Sequence, residues 1–146
     1  MSYSPRLLKT LGISISAKLV NPQRTPEQRL FQAIIVQAFE DALTTSGSKL
    51  DVYQKIDAHD WFVGRDQEFE QVCWLAGFDP DIITDNYNRL RDTGQVTFSK
   101  IQQNWARYRK LYKDYRAAKD SEERSLIMKE IMLTVDIEVL KTTSTD

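Results

Sequence analysis

The sequence predicts an all-α protein of about six helices in one compact domain. Three observations predict it. Apolar residues recur at three- and four-residue spacing over long stretches. Helix-starting residues stand immediately ahead of those stretches. Only five glycines and four prolines interrupt the 146 residues, too few for a turn-rich β architecture. A chain of this length buries a sizeable core without metals or disulfides. The expected organisation is a basic extended arm over residues 1–24, a single helical domain over 25–141 and a frayed tail over 142–146.

The arm is read from LGISISAKLV, where apolar and polar residues alternate for a few positions as in an extended segment. Thr25-Pro26-Glu27-Gln28 then supplies an N-cap hydroxyl, a first-turn proline and a capping-box glutamine. The helix it starts carries Leu30, Phe31, Ile34, Ile35, Ala38, Phe39, Ala42 and Leu43, and Ser46-Gly47 ends it. Ser48 caps a second helix through Leu50, Val52, Tyr53 and Ile56, extended or restarted over Asp57–Phe62 before Gly64. Asp66 caps a third, with Phe69, Val72, Cys73, Leu75 and Ala76 before Gly77. Asp79-Pro80 opens a fourth, with Ile82, Ile83, Tyr87 and Leu90 facing inward and an end near Thr93-Gly94. The fifth runs from about Phe98 to Lys119, where Phe98, Ile101, Trp105, Tyr108, Tyr112 and Tyr115 make a heptad-like stripe. Asp120 or Ser121 caps the sixth, which holds Leu126, Ile127, Ile131, Met132, Val135, Val139 and Leu140.

The net charge is only −1, but the charge is segmented along the chain. Residues 1–26 hold Arg6, Lys9, Lys18 and Arg24 with no acid. Residues 57–92 hold nine acids against Arg65, Arg89 and Arg91. From Thr97 to Lys119 the balance reverses, with seven bases against Asp114 alone. At 100° per residue, Arg109, Lys113 and Arg116 flank the aromatic stripe of the fifth helix, whereas Lys100 and Arg107 lie opposite it.

No catalytic constellation is legible, so an enzyme is not expected, nor a cofactor or metal. His59, between Asp57 and Asp60, is the one conceivable acid/base cluster and reads as a surface or capping residue. The acids at 79–85 lack the spacing of a calcium loop and fit helix capping instead. The lone Cys73 allows no intramolecular disulfide and reads as a small buried hydrophobe. With no long apolar run, neither a signal peptide nor a membrane span is expected, and the cytoplasm is the expected location.

The segment FEQVCWLAGFDPDIITDNYNRLR has helix-turn-helix-like spacing. Gly77 stands at the turn, Val72, Cys73 and Ala76 at the close-packing positions, Phe78 as a plug and Ile83 as the anchor of the second helix. Asn86 is a misfit where an apolar residue is expected, and Asp79, Asp81 and Asp85 would be repelled by phosphate. They read as caps more readily than as contacts.

At Asp57–Ile83 the pattern D-A-x-x-W-F followed by F-x-x-V-C-x-x-x-G-x-D-P-x-x-I resembles a group of small helical proteins of tailed phages and prophages. It is also similar to the DNA-binding-like N-terminal region of gene transfer agent activators, which contains a helix-turn-helix. Trp61, Phe69, Val72, Cys73, Gly77, Asp79 and Pro80 carry the resemblance, which covers about residues 26–92 and implies a fold more than an activity.

The leading expectation is a phage-type regulatory protein that binds DNA or RNA, the transcription machinery, or both. Its candidate nucleic-acid contacts are Arg6, Lys9, Lys18, Arg89, Arg91, Lys100, Arg107, Arg109, Lys110, Lys113 and Arg116. The alternative is an assembly module, a homo-oligomer or virion-associated protein, joined through Trp105, Tyr108, Tyr112 and Tyr115.

Overall fold

Local capping chemistry sets the helix starts. Thr25 and Gln28 form the expected reciprocal capping box, and Ser99 and Gln102 form a second that was not expected. Asp66 accepts from Phe69 N, Asp79 from Asp81 N and Asp120 from Glu123 N. The computed structural model describes the backbone of residues 3–144 and the side chains of 3–134. Among these residues there are eight helices and no strand: α1 (Pro5–Leu11), α2 (Ile13–Leu19), α3 (Pro26–Leu43), α4 (Lys49–Gly64), α5 (Gln67–Leu75), α6 (Pro80–Asp92), α7 (Lys100–Ala117) and α8 (Ser121–Ser144). No helix among them is long and apolar enough to cross a membrane.

The six expected helices correspond to α3–α8, and the two additional ones correct the reading of residues 1–24. That segment is not an extended arm. Ser4 caps α1 ahead of Pro5, and Gly12, at φ +88°, separates α1 from α2. Leu11, Ile15 and Leu19, four residues apart, are each 1% exposed. The alternation in ISIS masked this longer helical period, and the Ser16 hydroxyl donates to the Leu8 carbonyl across the break. At the other end α8 continues through Ser144 where a frayed tail over 142–146 was expected; residues 145–146 lie outside the described residues.

The chain forms two compact units where one domain was expected. Unit 1 comprises the chain up to Thr44 together with Gln54–Thr97, hence α1–α3, most of α4, α5 and α6. Unit 2 comprises Thr45–Tyr53 and the chain from Phe98, hence the start of α4, α7 and α8. Helix α4 is continuous through the boundary, so no turn or linker composition announces the division.

Unit 1 has an aromatic core. Phe62 stacks on Tyr87 with centroids 4.2 Å apart and planes at 16°, and Phe39 and Phe69 close on Phe62 at 4.6 and 6.3 Å. Contacts of this kind contribute roughly 0.5–1.5 kcal/mol each beyond area burial. The Tyr87 hydroxyl finds its polar partner in His59 Nδ1 at 2.7 Å.

The α5–α6 corner follows from one glycine. Gly77 adopts φ +84°, its N–H donates to the Trp74 carbonyl, and Phe78 N–H donates to Cys73, which closes α5 in a Schellman motif. The carbonyls that turn outward are taken by side chains. Buried Gln32 donates to Ala76 O at 3.0 Å and Lys18 to Gly77 O at 2.6 Å. Arg65 ties the α5 start to the α6 start, pairing with Glu70 and Asp81 at 2.9 Å each.

Lys55 is only 2% exposed, and its ammonium donates to the carbonyls of Thr44 (2.7 Å) and Thr97 (2.5 Å). Replacing it with methionine leaves two carbonyls facing an apolar chain. Lys55→Met is therefore expected to destabilise unit 1 by about 1.5–3 kcal/mol, read from urea denaturation. His59 supplies a pH signature. Burial first, then Arg91, holds its imidazole below the ordinary 6.5, against Asp60. Below pH 6.5 the unfolded chain therefore takes up a proton that the folded chain resists, and stability falls on acidification toward pH 5. His59→Gln is expected to flatten that dependence.

Candidate functional site

The site with the strongest chemical character lies within unit 2, where the start of α4 is laid along α7. The Ser46 hydroxyl donates to Asp51 at 2.7 Å and Asp51 N–H donates to Ser48 Oγ, which shapes the turn into α4. These hydroxyls, Ser46 first, hold the Asp51 carboxyl below its ordinary range. Gln102 is 1% exposed; it completes the Ser99 capping box and donates to Ser46 O at 3.0 Å. One turn later Trp105 Nε1 donates to Gly47 O at 3.1 Å. A Cβ on Gly47 would meet Ile101 Cγ2 at 3.2 Å, so the absence of a side chain allows this close approach.

That placement brings Lys49 over α7. Its Nζ lies 5.2 Å from the Tyr108 ring centroid, 5.7 Å from that of Tyr53 and 5.9 Å from that of Trp105. The Arg109 guanidinium stands 5.1 Å from the Tyr53 ring and donates to Tyr53 O at 3.3 Å. Arg116 stands 5.0 Å from the Tyr112 ring. A groove of about 460 Å³ opens here, lined by Lys49, Tyr53, Tyr108, Arg109, Tyr112, Lys113 and Arg116. Four cations and three tyrosines meet with no carboxylate in the lining. The Tyr53 hydroxyl is held above its ordinary range, by burial first and Tyr108 second, with Arg109 opposing.

The structure sorts the eleven cations singled out in the sequence. Arg109, Lys113 and Arg116 share the groove, as their angular positions on the helix predict. Arg107 pairs with Glu130 of α8 at 3.5 Å on an exposed surface, and Lys100 and Lys110 are exposed outside the groove lining. In unit 1, Arg6 and Lys9 are exposed on α1 and Arg91 on α6. Lys18 is bound to the Gly77 carbonyl, and Arg89 donates to Thr10 O at 2.8 Å and to Asn86. Both of these hold unit 1 together. The stripe Trp105, Tyr108, Tyr112 and Tyr115 forms a ladder along α7 with centroid steps of 5.6, 5.9 and 6.1 Å. Lys49 and Tyr53 were not foreseen as site residues: more than fifty residues separate them from Trp105 and Tyr108, and helical periodicity carries no signal over that distance.

Elsewhere, His59 is half-buried against Tyr87, a core partner and not the surface or capping residue expected. Cys73 is fully buried, and burial first pushes its thiol up to about 12. Among the described residues no group of three or more His, Cys, Asp or Glu side chains is placed to hold a metal ion. Asp79 caps α6, Asp81 pairs with Arg65 and Asp85 is exposed. Comparison with family models, curated proteins and solved structures finds no match to this chain.

Gln102 is the residue on which the groove's geometry rests. Gln102→Leu removes its bonds to Ser46 O and Ser99 N. The change is expected to cost about 1–3 kcal/mol in chemical denaturation and to accelerate amide hydrogen exchange over residues 46–53.

Proposed function

We propose that the protein is a small regulatory protein that binds nucleic acid, with the Lys49–Arg109–Lys113–Arg116 groove of unit 2 as its phosphate-contacting surface. The observation that carries this reading is the concentration of four cations among aromatic rings with no acid in the lining. Side chains that neutralise phosphates release condensed counterions, and rings beside them offer surface to bases. The pattern over Asp57–Ile83 that resembles phage proteins and gene transfer agent activators supports the regulatory part of the reading.

The α5–α6 corner takes a scaffolding role in this proposal. Asp79 and Asp81 cap and pair at the start of α6, and Arg89 is engaged with α1. A DNA-reading helix needs cations and uncharged donors at its start, and α6 presents Asp81 and Asp85 there.

A second reading, a protein-interaction module, is favoured by Leu126, Met132 and Leu133 of α8, which are 60%, 59% and 63% exposed. Concentration-dependent dimerisation in sedimentation, removed by Leu126→Ser with Leu133→Ser, would support it.

For the leading reading, anisotropy titrations with labelled oligonucleotides at 50–200 mM salt should give a slope of log K against log salt near −3, as expected for about four phosphate contacts. Replacing Lys49, Arg109, Lys113 and Arg116 with glutamine should bring that slope toward zero and remove binding. Replacing Arg6 and Lys9 with glutamine should leave both nearly unchanged. Absence of binding to any DNA or RNA at low salt sinks the reading.

A further inference from the structure

The groove's rings say more about the ligand than its charges do. Phosphates are common to duplex and single strand, so the cations alone do not choose between them. A duplex, however, keeps the faces of its bases inside its own stack. Tyrosine rings lining a cationic groove would meet only sugar and phosphate there. A single strand exposes those faces, and aromatic side chains stack on them with little regard to sequence.

Spacing points the same way. Successive bases of a stacked strand rise about 3.4 Å. The rings of α7 step by 5.6, 5.9 and 6.1 Å from Trp105 through Tyr108 and Tyr112 to Tyr115. A strand following this ladder has its bases drawn apart, which a free single strand allows at low cost and a duplex does not. From Arg109 to Arg116 the helix rises about 10 Å, so the cations span roughly two or three nucleotides. Two of the rings already carry guanidinium groups, Arg109 at Tyr53 and Arg116 at Tyr112, and a base joining such a pair extends a stack with a phosphate-seeking cation built into it.

From this we infer that the groove selects single-stranded over duplex nucleic acid, holding two or three unstacked nucleotides with their phosphates on Lys49, Arg109, Lys113 and Arg116 and their bases against Tyr108 and Tyr112. The inference rests on the nucleic-acid reading above and specifies its ligand.

The test titrates the full-length protein by anisotropy at one salt concentration. The probes are labelled oligo(dT), oligo(U), a blunt duplex of mixed sequence and a polyglutamate peptide. The single strands are expected to bind at least tenfold more tightly than the duplex, and the ratio of oligo(dT) to oligo(U) identifies DNA or RNA as the preferred source. Tyr112→Ala is expected to weaken single-strand binding by about 5- to 150-fold, the range measured for loss of one stacking ring, without changing the salt slope. Tyr112→Phe should restore it. Circular dichroism confirms that each variant retains its helix content. Tighter binding of the duplex that still depends on the four cations overturns the single-strand inference and leaves the nucleic-acid reading in place. Single-strand binding indifferent to Tyr112→Ala and to Tyr108→Ala overturns the stacking role. Binding of polyglutamate with no binding of any oligonucleotide overturns both readings and makes the groove a site for acidic peptides.

Discussion

The ammonium of Lys55 is the constraint on which unit 1 depends. A charge at 2% exposure is costly to desolvate, by several kcal/mol in real proteins, unless hydrogen-bond acceptors surround it. Here the acceptors are the carbonyls of Thr44 and Thr97. Thr44 is the C-cap of α3, whose last carbonyls have no partner within the helix, and Thr97 ends the segment that follows α6. The cation therefore sits where a helix C-terminus favours positive charge. It also joins the two points at which the chain leaves unit 1, so both exits are fixed by one side chain on a third element. Burial holds the amine below its ordinary range.

Other cations in unit 1 follow the same pattern. Lys18 holds the Gly77 carbonyl, Arg24 bonds Asn21 O and Gln32, Arg65 bridges Glu70 and Asp81, and Arg89 reaches Thr10 O. In a fold of short helices, orphan carbonyls and first-turn carboxylates are numerous, and long basic side chains satisfy them at a distance. A basic residue in the sequence is thus as often a staple as a contact, and only its neighbours in space distinguish the two.

This explains which parts of the molecule the sequence made legible. The starts of α3, α5 and α6 were readable because capping bonds join residues two or three apart, within the reach of a motif. The phase of Arg109, Lys113 and Arg116 around α7 was readable because helical geometry is fixed. The helical character of 5–19 was missed because ISIS alternates over four residues while Leu11, Ile15 and Leu19 declare a helix only over nine. The two-unit division was missed because α4 runs unbroken through Tyr53 and Gln54. The share of Lys49 and Tyr53 in the groove was invisible because it depends on Gln102 and Trp105 taking the carbonyls of Ser46 and Gly47, bonds between residues 56 and 58 apart.

The net charge of −1 conceals a difference in how the two signs are used. Several acids are committed to local backbone: Asp66, Asp79 and Asp120 each cap a helix, and Asp51 is held by Ser46 and Ser48. Their charge is turned toward N–H and O–H groups within two to five residues. Lys49, Arg109 and Arg116 of the groove each lie against a tyrosine ring. A carboxylate in that position would cancel the field of the groove; a tyrosine leaves it intact and adds a flat surface. The sum of charges over the chain is therefore a poor guide to partners here, because several acids are engaged at helix ends while part of the other sign is gathered in one place.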